Sequence, residues 1–161
     1  MPDARAVNAT AGVITRPPLL FLGALPIGFI LDRMLRLPLP VPGSALGQWI
    51  IGALLVLIGL AVAAAGIRNF SGAGTPVRSI RPTRALVTTG IHGRTRNPIY
   101  IGMFLFYGGI GVAARSLWTL ILMLPLAITV RYGVVAREEA YLEQRFGDVY
   151  RAYATRVRRW L

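Results

Sequence analysis

Gly90-Ile91-His92-Gly93-Arg94-Thr95-Arg96-Asn97-Pro98-Ile99-Tyr100 joins a basic loop directly to an apolar segment, and the fold follows from that junction. Asn97 has the side chain of a helix cap. Pro98 suits the first helical position, where its missing N–H costs nothing and its φ is already set. Arg94 and Arg96 stand just before it. A helix mouth with a positive dipole, unpaired amides and guanidinium groups suits an anionic ligand.

Downstream, Pro98 to about Ala114 is a short apolar span, Arg115-Ser116 makes a turn, and Leu117 to Val135 is a further span containing Pro125. So short a turn favours antiparallel packing of the two as a hairpin. Upstream, Gln48 to Ile67 supplies twenty residues, enough for roughly 30 Å of hydrocarbon. Pro17 to about Leu31 is expected to be the first span, kinked at Pro26, with Pro38, Pro40, Pro42 and Gly43 marking the turn between them. No small-residue cleavage site follows it, which argues against a signal peptide. Gly52, Gly59 and Gly66 recur every seven residues. Close helix packing explains that stripe better than a groove for a lipid tail.

Composition agrees. Of 161 residues 55% are hydrophobic, yet the net charge is +12, a conflict for a soluble globule and an agreement for a membrane protein with basic loops. A nucleic-acid partner is not expected, because the arginines lie between long apolar runs and no soluble fold is left to carry them. Cysteine is absent and histidine occurs once, so no metal site is expected. All eighteen basic residues are arginine. With the N-terminus, the 68–97 loop and the C-terminal tail on one side, only Arg33, Arg36 and Arg115 fall opposite. That asymmetry predicts a multi-pass protein, expected in a bacterial inner membrane, with both termini cytoplasmic.

The expected fold is therefore all-α and integral to the membrane, with about four transmembrane helices and a C-terminal interfacial amphipathic tail. Residues 1–16 are expected to be a flexible terminus, 17–67 a helix pair, and 68–161 a working module. The tail from Arg137 breaks at Gly147, where Asp148 can cap a second short helix. Val149, Tyr153, Val157 and Trp160 share one side of it, lying in the interface or packing back on the helix ends.

Acids number six, and two of them, Glu138 and Glu139, are adjacent just past the fourth span. Arg131 precedes Glu138 by two turns on nearly the same face of a regular helix. The hairpin then brings Arg94, Arg96, Asn97 and Tyr100 opposite Arg131, Glu138 and Glu139. Positive groups for a carboxylate and negative groups for an ammonium or ribose suit a zwitterionic nucleoside cofactor. Tyr100, Met103 and Tyr107 line one face of the third span and can floor the cavity. Gly108-Gly109-Ile110-Gly111 is no dinucleotide fingerprint, since no strand precedes it.

From Gly72 to Trp160 the chain resembles the isoprenylcysteine carboxyl methyltransferases and their phospholipid methyltransferase relatives. The resemblance rests on Gly74-Thr75-Pro76, Leu86-Val87-Thr88-Thr89-Gly90, Arg96-Asn97-Pro98-Ile99-Tyr100-Ile101-Gly102, Glu138-Glu139, Phe146-Gly147, Tyr150, Tyr153, Arg156-Val157 and Arg159-Trp160. It implies S-adenosylmethionine-dependent methyl transfer to a lipophilic acceptor in the bilayer, with 68–161 as the cofactor-binding module. It places Gly90, His92, Arg96, Asn97, Pro98, Tyr100, Gly102, Glu138 and Glu139 in the cofactor pocket. Ile91-His92 departs from the family's usual Pro-Tyr. Arg131 would hold a carboxylate acceptor, whereas Glu138 or His92 would assist an amine acceptor. Membrane sterol reductases, which bind NADPH at a similar C-terminal module, and a non-catalytic scaffold are the rival expectations.

Overall fold

The computed structural model describes residues 12–39, 43–77 and 82–161, and among these the regular structure is entirely helical. The helices are α1 (Pro17–Met34), α2 (Ala45–Gly72), α3 (Pro98–Ala113), α4 (Leu117–Val130), α5 (Ala136–Phe146) and α6 (Asp148–Arg156). A 3₁₀ turn, Gly90–Gly93, precedes α3, and a π-helical turn, Arg131–Val135, welds α4 to α5. The protein is an all-α integral membrane protein. Three helical stretches are long and apolar enough to span a bilayer: Pro17–Met34, Ala45–Gly72 and the continuous Leu117–Phe146. The fourth, α3, is shorter at 16 residues.

The starts follow local chemistry. Ser44 accepts a hydrogen bond from the Gly47 amide and Ser116 one from the Thr119 amide, each capping its helix. Pro17 and Pro98 occupy first-turn positions. Asn97 is the cap residue of α3, but its side chain makes no cap bond. The last junction also differs from expectation: Gly147, at φ 51°, takes the cap position, and Asp148 sits inside the first turn of α6, paired with Arg151.

The most extensive helix contact is between α2 and α3, followed by α1 with α4; the expected α3–α4 hairpin forms with a smaller contact. Glycine is the reason. A Cβ on Gly59 would lie 2.6 Å from the Gly102 carbonyl oxygen and 2.6 Å from the Phe106 amide. One on Gly52 would lie 2.6 Å from the Gly109 carbonyl oxygen, and one on Gly66 would press on Ile99 and Pro98. The seven-residue stripe on α2 meets Gly102 and Gly109, themselves seven apart on α3, so two backbones touch where side chains normally intervene. Gly109, part of the discounted glycine cluster, is thus a packing residue.

Both ends of the bundle are tied. At one end the Trp118 indole donates to the Leu35 carbonyl. At the other, the start of α1, the end of α2, the start of α3 and the beginning of α5 converge on one cavity. Phe21, Tyr100, Tyr107, Leu126, Val130, Val134 and Val135 form the core between the helices. Tyr141, Leu142, Tyr150, Tyr153 and Val157 form a second core within the tail, and the Tyr153 hydroxyl and the Arg158 carbonyl tie that tail to the loop before α3. Val149, expected on that packed side, is exposed instead.

A π turn shifts one carbonyl out of the regular ladder. Here the Gly133 carbonyl accepts from the Ile14 amide at 3.3 Å, and the Arg137 guanidinium donates to the Gly12 carbonyl at 2.8 Å. Residues 12–16 are therefore seated on the bundle. Residues 1–11, the rest of the segment expected to be flexible, lie outside the described residues, as do Pro40, Pro42, Arg78 and Arg81.

Candidate active site

Glu138 and Glu139, adjacent on α5, point to different partners and do different work. Glu138 is 3% exposed, and its Oε1 accepts a 2.8 Å hydrogen bond from the Tyr100 hydroxyl of α3. Glu139 holds two arginines. Arg159 Nη2 lies 2.6 Å from its Oε2, with Arg159 Nε 3.0 Å from both oxygens. Arg96 Nη1 lies 3.1 Å from its Oε1. Bonding to Glu139 raises the Arg159 pKa above its ordinary value, so the guanidinium stays charged throughout the working range of the protein.

Arg96 also donates to the Tyr150 hydroxyl at 3.3 Å. The chain's last residues cross the mouth of α3 as a strap. The Arg96 amide donates to the Arg158 carbonyl at 3.0 Å, and Asn97 Nδ2 donates to the Arg159 carbonyl at 3.0 Å. Asn97 forgoes its cap bond to hold this strap. His92 is buried, edge-on to Phe70 with ring centroids 4.8 Å apart. Its Nδ1 lies 3.4 Å from Asn69 Nδ2, and its carbonyl accepts from the Tyr153 hydroxyl at 2.7 Å. Gly90 makes this turn possible. It has φ +58°, and a Cβ there would lie 2.5 Å from Asn69 Nδ2.

These groups enclose a cavity of about 290 Å³ lined by His92, Arg96, Asn97, Pro98, Tyr100 and Glu138, together with Arg16 and apolar side chains that include Ile67, Phe70, Val77, Ile99 and Met103. That is near the lower end of the range for pockets that enclose a drug-sized ligand, roughly 300–1,000 Å³. The lining thus offers one carboxylate, Glu138, and two guanidinium groups, the part-buried Arg96 and the exposed Arg16, among apolar walls.

Six expected residues stand elsewhere. Gly102 is on the α2-facing side of α3, against Gly59. Gly90 shapes the turn behind His92, and Glu139 lies behind Arg96. Arg131 is farther removed. It borders a separate groove with Phe104, Ala127, Ile128, Tyr132 and Trp160. The cause is the π turn, which accommodates about one extra residue and rotates the helix face by roughly 100° between Arg131 and Glu138. Tyr107 belongs to the core rather than to the cavity lining, and Arg94 is exposed. The sequence does not mark Asn69, Phe70 or Tyr150 as site residues. Tyr150 is among the residues that carry the family resemblance, but Asn69 falls beyond the expected end of α2.

Replacing Tyr100 with phenylalanine should cost about 1–3 kcal/mol of stability, the usual cost of removing one partner of a buried hydrogen bond. Thermal unfolding in detergent reads this directly, and an unchanged midpoint would mean that the Tyr100–Glu138 bond contributes nothing.

Parts of the chain are similar to known proteins. An uncharacterised protein of Haemophilus influenzae is 67% identical over 27 residues, 17% of this chain and 43% of that protein. The nickel-cobalt-cadmium resistance protein NccN of Alcaligenes xylosoxydans xylosoxydans is 35% identical over 77 residues, 48% of this chain and 36% of that protein. The matched stretches thus span less than half the length of either relative. No solved structure matches. The family described as phospholipid methyltransferase matches residues 48–149, from the second turn of α2 to the start of α6. With its all-helical membrane architecture and the cavity at the mouth of α3, the chain belongs to the phospholipid methyltransferase family.

Proposed function

We propose that this membrane methyltransferase uses S-adenosylmethionine and methylates a lipophilic acceptor, an isoprenylcysteine-type carboxylate or a phospholipid amine, at the cytoplasmic ends of its helices. One observation carries the proposal: residues distant in sequence, His92 to Tyr100 on one side and Glu138 on the other, line one cavity with the termini of α1 and α2.

Arg96, Asn97, His92 and Glu138 are the residues to hold the cofactor. When bound, S-adenosylmethionine supplies an electrophilic methyl group on a sulfonium. The residues of the chain contribute position and an apolar surrounding. Ile67, Phe70, Ile99 and Met103 give the cavity apolar walls, and fixed alignment of the reacting groups is a large contribution such a site can make. A carboxylate acceptor needs only orientation. An amine acceptor must lose a proton, and Glu138 is the carboxylate lining the cavity that can take it at its side-chain oxygens. Glu139 acts at one remove, fixing Arg96.

Membranes containing the protein, supplied with methyl-labelled S-adenosylmethionine and a total lipid extract, should move label into the organic-soluble fraction. Arg96→Ala should lower that transfer by about a hundredfold, the usual effect of lost alignment. Label that stays aqueous at equal protein levels would overturn the proposal.

A further inference from the structure

On α4, Leu124 and Ile128 are exposed about one helical turn apart, and Tyr132 follows them with 64% of its surface accessible. The stripe ends at the groove of about 400 Å³ bordered by Phe104, Arg131, Tyr132 and Trp160. Arg131 lies there with its guanidinium 5.4 Å from the centre of the Tyr132 ring. No carboxylate pairs with it among the described residues. The groove therefore combines an apolar strip running into the bilayer, two aromatic rings of the type that settle at headgroup level, and a cation without a counter-ion.

We infer that this groove is a binding site for a membrane phospholipid with an anionic headgroup. The phosphate would sit on Arg131, and one acyl chain would lie along Ile128 and Leu124. The site is distinct from the methyl-transfer cavity, which Arg131 does not line, and it does not depend on the function proposed for that cavity. Arg131 is the charge and Phe104 and Trp160 are the walls. Tyr132 turns the guanidinium toward the groove through the attraction of a cation for an aromatic face.

The test is native mass spectrometry of the full chain released from micelles containing equal amounts of phosphatidylglycerol and phosphatidylcholine. Retained phosphatidylglycerol should exceed phosphatidylcholine by about fivefold, the preference that one interfacial arginine confers. Arg131→Ala should abolish that preference, while Arg84→Ala, which removes an equal charge from an exposed position outside the groove, should keep it. Thermal midpoints of both variants confirm that each protein is folded. Equal retention of the two lipids by the unmodified chain would overturn the inference. So would equal loss of preference in Arg131→Ala and Arg84→Ala, which would reduce the effect to general surface charge. A preference unchanged in Arg131→Ala would also overturn it.

Discussion

Glu139→Ala is expected to destabilise the protein by about 2–4 kcal/mol and to abolish cofactor binding, although Glu139 does not line the cavity. Its side chain is only 14% exposed, and it balances Arg96, 13% exposed, and Arg159. Removing the acid leaves two guanidinium groups half-desolvated and mutually repelling, which is the costly way to break such a pair. Removing a second member should then be restorative: Glu139→Ala with Arg159→Ala should be more stable than Glu139→Ala alone, because one uncompensated charge has gone. The strap at Arg158 and Arg159 rests on the same cluster, so its release should loosen the mouth of α3. A Glu139→Ala protein that melts with the parent and still binds ligand would refute this role.

The second large effect belongs to Gly102. A Cβ at this position would lie 2.5 Å from the Gly59 carbonyl oxygen and 2.7 Å from the Ala63 amide, both backbone atoms that cannot move aside locally. Gly102→Ala must therefore push α2 and α3 apart, at a cost of about 3 kcal/mol, the upper part of the usual range for overpacking. Gly108→Ala is the matched control on the same helix, since its Cβ would meet only the flexible Met123 side chain at 3.3 Å. Melting temperature and ligand affinity of the folded fraction separate packing from binding. A Gly102→Ala protein with an unchanged melting temperature and lost affinity would return Gly102 to the pocket.

Much of this architecture is legible in the residues. Apolar length and the Pro98 and Ser116 starts place the helices, and the glycine stripe on α2 announces close packing. Glu138 and Glu139 announce a site by their scarcity. What escapes is long-range geometry. Asn97 looks like a cap, but nothing local shows that the chain's end will come back to take its amide. The π turn at Arg131–Val135 has no hydropathy signature, so a two-turn separation places Arg131 beneath Glu138, whereas the structure turns it to another groove. The end of α2 also runs past its apolar stretch, because Asn69 and Phe70 are held by the Thr89 carbonyl and the His92 ring rather than by lipid.

The cavity at the mouth of α3 is proposed to bind the methyl donor. Calorimetric titration of the detergent-purified chain with S-adenosylhomocysteine and, separately, with NADPH tests it most directly. Micromolar binding of S-adenosylhomocysteine, with none for NADPH, is the predicted result. Binding of NADPH alone, or of neither compound to folded protein, would contradict it.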